Sequence, residues 1–297
     1  MAATDDSTAK NRQRGIMFMA GAIFAFTAMD AVAKALVAHY PTIEVIWARF
    51  VGHFLFVILY LGRRTFAALV TSFPLLHLAR SLTQLGATAF FFASLNYVGL
   101  AEATALAEIS PILITVGAAL FLGEKLGLPR VIGIVIAMIG ALIVIRPGMG
   151  VFRLAAVLPL LCAFCYAANM LLTRLVGSRE SPWASMVYAS ALGAFLTSLV
   201  VPFQWVPIAV ADVPTFALLG ALGAVAQLFI IRAFSGTEAS ILAPYGYLDI
   251  VFATIWSIVW FHQYPDIYTL IGALVIASAG LYVWRTELNT VRAAPLA

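Results

Sequence analysis

Four charged side chains lie deep inside long apolar stretches of this sequence: Asp30, Arg49, Glu108 and Asp249. A charge in hydrocarbon is costly, so such residues face protein or water and mark routes for protons, ions or solutes. A carboxylate at that depth can hold a proton or receive an ammonium group. An arginine can bind a carboxylate through two parallel hydrogen bonds. The expected chemistry is therefore the reversible binding of small charged groups.

Asp30 has two possible partners among the basic residues. Lys34 lies four residues further along and shares its helical face, and Arg49 lies at a similar depth on the next apolar stretch. An ion pair between Asp30 and Arg49 would either lock this hairpin or open during a conformational change. A third alternative is that Arg49 attracts a solute carboxylate. Asp30, Lys34 and Arg49 are candidate coupling or gating residues.

A proline follows Glu108 by three residues and is predicted to weaken the helix there. Pro111 removes one backbone hydrogen bond, and Pro244 lies at a nearly matching place in the second half of the chain. Glu108 beside such a break can receive an ammonium group or carry a proton. The alternative is a hydrogen-bonded contact between helices. Pro111 and Pro244 are the candidate flexible points.

Aromatic side chains follow the helical face of Asp249. Tyr245, Asp249, Phe252 and Trp256 fall at i, i+4, i+7 and i+11. One carboxylate in such a stripe suits an amphiphilic cation or a zwitterion, through charge pairing and cation–π contact. Aromatic rings that only fill space between helices are the alternative.

Further polar side chains occur on other apolar stretches. Those predicted to line the same cavity are Glu108, Gln84, Tyr166 and Asn169. Polar groups on such helices face protein or water rather than lipid. Each of them can also serve as a contact between helices.

Composition excludes a water-soluble protein. The 297 residues are 63% hydrophobic and 10% charged, with a mean hydropathy of +1.02, whereas soluble domains carry about 25% charged residues. The net charge of +4 comes from short loops, so it indicates membrane topology rather than nucleic-acid binding. No HExxH, GxSxG or Walker motif occurs, so we expect no enzyme, no metal and no cofactor.

The apolar stretches predict an all-α integral membrane protein. A span needs about 20 apolar residues, and ten are found: 15–37, 44–62, 75–98, 101–122, 129–146, 152–174, 182–201, 214–234, 238–261 and 265–285. They are numbered here as spans one to ten. Lipid is the surrounding partner.

Two parts of the sequence are alike. Residues 102–107 (EATALA) return as 238–243 (EASILA), and Ile132-Gly133 returns as Ile271-Gly272. Five spans per half make the halves inverted relative to each other. We therefore expect two five-helix repeats, 15–146 and 152–285.

Orientation follows from the basic residues. With the N-terminus in the cytoplasm, thirteen of the seventeen Lys and Arg residues lie on the cytoplasmic side. An even number of spans then places both termini there. We expect a multi-pass protein of the cell inner membrane.

The chain resembles the drug/metabolite transporter superfamily, and within it the EamA-type ten-helix exporters. The likeness rests on Pro111, on Gly123-Glu124, on the run APYGY at 243–247 and on AGLY at 279–282. At the end of span nine, where the family often carries Gly-Glu, this chain has His262-Gln263. Within the family it is most similar to YddG-type exporters of amino acids.

This resemblance implies a secondary carrier that exports small metabolites, most simply amino acids or similar amphiphilic solutes. The two halves would rock around a central cavity, with the proton as a possible coupling ion. An antiporter of nucleotide sugars or sugar phosphates is the alternative, but it needs several cations, and only Arg49 and Lys34 are available. An intramembrane enzyme or a channel fits less well, because no catalytic motif or ring of like charges is present.

Overall fold

The computed structural model describes residues 2–65, 70–122, 128–145, 154–176, 181–237 and 239–293. The regular elements within these ranges are all helical. The longer helices are α1 (Ala2–Val37), α2 (Thr42–Leu61), α3 (Pro74–Ser94), α4 (Leu100–Ala107), α5 (Ser110–Leu122), α6 (Leu128–Ile145), α7 (Val157–Val176), α8 (Pro182–Val200), α9 (Val213–Gly236), α10 (Leu248–Val259) and α11 (Ile267–Ala293). Gly123-Glu124 and the linker at 146–153 lie outside the described residues.

Length and hydropathy alone mark seven membrane-spanning candidates in the described ranges, and two shorter apolar helices accompany them. The shorter ones are Val131–Ile145 and Tyr245–Val259, which belong to spans five and nine. Span three corresponds to α3, whose first half carries His77 and Arg80 and is therefore less apolar. Together these segments confirm the predicted all-α fold with ten crossings.

Spans four and nine are broken near Pro111 and Pro244, where the sequence predicted weakened helices. In span four, α4 ends at Ala107 and α5 begins at Ser110. In span nine, a single turn (Ala239–Leu242) and a 3-10 helix (Ala243–Tyr247) precede α10. Proline explains both breaks, because Pro111 and Pro244 cannot donate the backbone hydrogen bond that a continuous helix needs. Each break leaves backbone polar groups near mid-membrane, where protein or a cavity must satisfy them.

The packing of the spans follows the duplication. Span one packs along span eight, and span three packs along span six. Spans one and three of the first half correspond to spans six and eight of the second, so exchanging the halves turns one pair into the other. Span two packs on span seven, span four on span nine, and span five on span ten, so each of these packs on its own counterpart. The structure therefore has an approximate twofold relation, and spans four and nine meet on its axis.

Two glycine pairs bring helix backbones together. A Cβ atom added at Gly272 would lie 2.7 Å from the carbonyl oxygen of Gly140, so spans ten and five touch backbone to backbone. A Cβ at Gly52 would lie 2.7 Å from the Cα of Gly220, which joins spans two and eight in the same way. Small residues permit this close packing between membrane helices.

Helix ends differ from the predicted spans at several points. Helix α1 begins at Ala2 and α11 continues to Ala293, beyond the apolar stretches that defined spans one and ten. After span nine, His262 adopts a left-handed φ of 52°. Glycine commonly ends helices in this conformation, so His262 takes the backbone conformation typical of the glycine that the family often carries there.

Candidate functional site

The four deep charges come together at the centre of the membrane region. Asp30 interacts electrostatically with both Arg49 and Asp249, and Glu108 forms a side-chain hydrogen bond with Asp249. All four side chains are partly accessible rather than fully enclosed. Spans one, two, four and nine each contribute one of them. These four residues were predicted from the cost of placing a charge inside the membrane, and the structure brings them together. They are called the central group below.

The carboxyl groups of Glu108 and Asp249 meet where the two broken spans cross. Glu108 directly follows the last residue of α4, and Asp249 lies in the first turn of α10. An ionised carboxylate only accepts hydrogen bonds, so a bond between two carboxyl groups requires a proton on one of them. The helix breaks place this pair of carboxyl groups between the two halves.

Arg49 makes its hydrogen bond to a hydroxyl rather than to Asp30. Its Nη1 donates to Thr88 Oγ1 at 2.5 Å, and its guanidinium carbon lies 5.6 Å and 5.3 Å from the ring centres of Phe50 and Phe92. Asp30 also interacts electrostatically with Arg49, so an ion pair between them stays a prediction. A guanidinium has five donors, which leaves Arg49 able to bind a solute carboxylate.

Lys34 is separated from the central group. It is 8% exposed, its Nζ donates to the carbonyl of Val98 at 3.1 Å, and it lies 5.3 Å from the ring centre of Phe261. Its electrostatic partner is Glu102. Lys34 therefore links the end of span one to the loop between spans three and four and to the end of span nine.

Two aromatic residues of span nine pack against span one. Trp256 donates from Nε1 to Thr27 Oγ1 at 3.3 Å, and the Phe24 ring lies 5.5 Å from Phe252 and 5.4 Å from Trp256. These contacts match the space-filling alternative for Phe252 and Trp256. Tyr245 lies in the 3-10 helix before α10, so it does not continue their helical face as the spacing predicted.

Two tyrosines lie beside the carboxyl pair. Tyr166 is 41% exposed, and it interacts electrostatically with Glu108 and Asp249. Tyr247 interacts with Glu108, and it packs so closely on Gly280 that a Cβ there would overlap its hydroxyl. Sequence reasoning missed Tyr247 because it assumed an unbroken helix, although the nearby Pro244 was a signal of the break.

Asn169 and Gln84 differ in position. Asn169 is 2% exposed and donates to the carbonyl of Arg80 at 2.7 Å, so it joins spans six and three instead of lining the cavity. Gln84 is half-buried, one helical turn before Thr88. The Thr88 hydroxyl accepts a hydrogen bond from Arg49 and donates one to the backbone carbonyl oxygen of Gln84 at 3.1 Å. This places Gln84 beside the central group.

Both flexible points lie near the start of a helical segment. Pro111 is the second residue of α5, two residues after the break at Glu108 and Ile109. Pro244 is the second residue of the 3-10 helix in span nine. Only the backbone of Pro244 belongs to the described part of the chain.

Sequence reasoning also missed two groups that lie near Arg49. His53 lies one turn further along α2 and interacts electrostatically with it, and its Nε2 is buried without a hydrogen-bond partner among the described residues. Cys162 interacts with both Asp30 and Arg49. His53 follows Arg49 by four residues and therefore shares its helical face, and Cys162 belongs to a CxxC pair with Cys165 that the sequence alone indicates is packing within a span. Across the described residues, no group of three or more His, Cys, Asp or Glu side chains is arranged to hold a metal ion.

A duplicated ten-span fold with broken helices around a central polar group defines a class of protein, the secondary membrane transporters. The family model described as "EamA-like transporter family" matches residues 13–146 and 153–284. The chain belongs to the EamA-like transporter family. Family membership and named relatives agree that it is a membrane transporter of small metabolites and not an enzyme.

Named relatives align over nearly the whole chain. A riboflavin transporter of Rhizobium johnstonii is 31% identical over 94% of this chain and 93% of its own. A pseudopaline exporter of Pseudomonas aeruginosa is 29% identical over 92% and 96%. An S-adenosylmethionine uptake transporter of Rickettsia conorii is 27% identical over 92% and 93%.

A solved crystal structure shares the fold of the whole chain. It superposes with a TM-score of 0.64 at 19% identity and covers 94% of this chain and 99% of its own. The named relatives carry riboflavin, pseudopaline and S-adenosylmethionine, so the expected special likeness to YddG-type amino-acid exporters is corrected to membership of the wider family.

Proposed function

We propose that this protein is a proton-coupled carrier in the cell inner membrane, with both termini in the cytoplasm. It exports amphiphilic metabolites that combine an ammonium group, a carboxylate and a flat ring, including amino acids. The observation that carries the proposal is the carboxyl pair of Glu108 and Asp249 at the crossing of the broken spans. The thirteen-to-four distribution of basic residues supports the orientation.

The carboxyl pair supports exchange of a proton for an ammonium group. In the state facing the cytoplasm, the solute ammonium binds between Glu108 and Asp249, and their shared proton is released inward. After the solute leaves on the outer side, a proton from outside returns to the pair. One cycle thus moves one solute outward and one proton inward, and for a zwitterion it carries one positive charge inward.

The solute carboxylate, in this proposal, binds to Arg49 on span two. Arg49 has donors beyond the one used by Thr88, and Asp30 interacts with it electrostatically. A ring between these two ends would lie beside Tyr166, which is exposed next to the carboxyl pair. Two of the relatives' solutes, riboflavin and S-adenosylmethionine, support the ring, because both contain fused rings. Only S-adenosylmethionine also supports the ammonium and carboxylate groups, because riboflavin has neither.

The phosphorylated-solute alternative is weaker. The described central group has three carboxyl groups and one cation, Arg49, whereas phosphate groups need several cations. Repulsion by Asp30, Glu108 and Asp249 disfavours a polyanion.

The test is counterflow in proteoliposomes with riboflavin, S-adenosylmethionine and an amino acid of each side-chain class. Counterflow separates a carrier from a channel, since only a carrier accelerates labelled uptake when unlabelled solute is inside. We expect at least one ring-containing zwitterion to exchange and to accumulate against its gradient when a pH gradient is imposed. Exchange by none of these solutes contradicts the substrate class. Equal rates with and without the pH gradient contradict the coupling.

A further inference from the structure

A cavity lies on the side of the membrane where span one ends, which the charge bias predicts to be the outside. Its volume is about 940 Å³, within the range of sites for small-molecule ligands. It is formed by the end of span one, the loop between spans three and four, and the turn between spans nine and ten. Asp30, Arg49, Glu108 and Asp249 do not line it, so it is a separate space from the central group.

One cation is held in the wall of this outer cavity. Lys34 is 8% exposed and lines the cavity, and among the described residues its hydrogen-bond acceptor is the Val98 carbonyl. An ammonium group has three donors, and the Val98 carbonyl uses one of them. Burial makes a hydrogen bond to a charged group stronger than it is in water, and a solute carboxylate matches this cation.

The wall beside Lys34 is aromatic. Trp260 and Phe261 stack with ring centres 6.0 Å apart, and Tyr264 is 75% exposed at the same cavity. These rings offer flat apolar surface to a ring on the ligand. Glu102 also lines the cavity and interacts with Lys34, so the site carries charges of both signs and disfavours polyanions.

The geometry points to the outer cavity as a second solute-binding site, one that takes an aromatic zwitterion with its carboxylate on Lys34. This inference rests on the proposed function, because the same solute occupies the central group on its way across. Lys34 lies four residues beyond Asp30, or about 6 Å further along the same helix. A solute leaving the central group therefore reaches this site before it is released.

Equilibrium dialysis of the purified full-length protein with radiolabelled L-phenylalanine tests the site. Phenethylamine, which has the ring and the ammonium group but no carboxylate, is the competitor. Lys34→Gln keeps a donor for the Val98 carbonyl and removes the charge, and Lys34→Arg keeps the charge. Asp249→Asn removes the central site, and size-exclusion chromatography establishes that each variant is folded.

We expect the wild type and Lys34→Arg to bind two molecules per chain, and Lys34→Gln to bind one that phenethylamine displaces. Asp249→Asn should retain one that phenethylamine does not displace. A single molecule in the wild type, kept by Lys34→Gln and lost by Asp249→Asn, overturns the outer site and leaves the proposed function standing. Loss of both molecules in folded Lys34→Gln also overturns a separate outer site. No binding by any form overturns the outer site and the aromatic-zwitterion substrate class together.

Discussion

Replacing Glu108 with glutamine separates the charge of the carboxyl pair from its geometry. The glutamine amide can still donate to Asp249, so the crossing of spans four and nine keeps its hydrogen bond. The variant loses the second carboxyl group that an incoming ammonium would contact. A hydrogen bond to a charged group contributes about 1.5–3 kcal/mol, which corresponds to a roughly 10- to 150-fold weaker solute affinity.

The assay is the concentration dependence of counterflow in proteoliposomes, with and without a pH gradient. For Glu108→Gln we expect an increase in KM of that size and no response to the pH gradient. Glu44→Gln is the matched control, because Glu44 is a fully buried acid on span two that accepts a hydrogen bond from the backbone of Val206, away from the central group. Wild-type KM and an unchanged pH response in Glu108→Gln would refute the role assigned to the pair.

Three further results are expected. Gly272→Ala should lower the free energy of unfolding by about 1–3 kcal/mol, because its Cβ would lie 2.7 Å from a carbonyl oxygen of span five. Gly99→Ala is the control, because its Cβ would meet nothing closer than 3.9 Å. Thermal unfolding in detergent compares the two variants, and equal midpoints would contradict the backbone contact. Asn169→Leu should destabilise the protein by about 0.5–1.5 kcal/mol, because it removes the hydrogen bond that joins span six to the Arg80 carbonyl, while KM for transport stays unchanged. A raised KM would return this residue to the binding site. The hydrogen bond to Asp212 raises the pKa of Tyr40, so the stabilisation from this bond is present below the ordinary tyrosine pKa and is lost as pH rises through the raised value. Tyr40→Phe should therefore lower the unfolding midpoint at pH 8 but not in strong alkali. An equal effect at both pH values would contradict this.

The sequence predicted the residues of the central group better than their pairing. The cost of charge in hydrocarbon identifies Asp30, Arg49, Glu108 and Asp249, and the structure brings these four together. Pairing depends on how spans cross in three dimensions, which spacing along one helix does not determine. Glu108 therefore meets Asp249, 141 positions away in the sequence, while Arg49 bonds to Thr88.

Helical periodicity failed where the helix is interrupted. Pro111 and Pro244 mark the breaks in the sequence, but the face assigned to Tyr245 assumed that span nine was continuous. The 3-10 segment changes the rotation per residue, and Tyr247 within it interacts with Glu108. Asn169 shows a second limit, because a polar side chain in an apolar helix can serve a cavity or a neighbouring backbone, and only the fold separates the two.

The most direct measurement of the proposed mechanism is proton movement during solute exchange. Proteoliposomes containing a pH-sensitive dye and the solute identified by counterflow are diluted into solute-free buffer with no initial pH gradient. The account predicts that protons move against the direction of the solute, one for each molecule, and that Asp249→Asn abolishes this movement. Solute efflux at the wild-type rate with no change in internal pH would contradict exchange at the carboxyl pair.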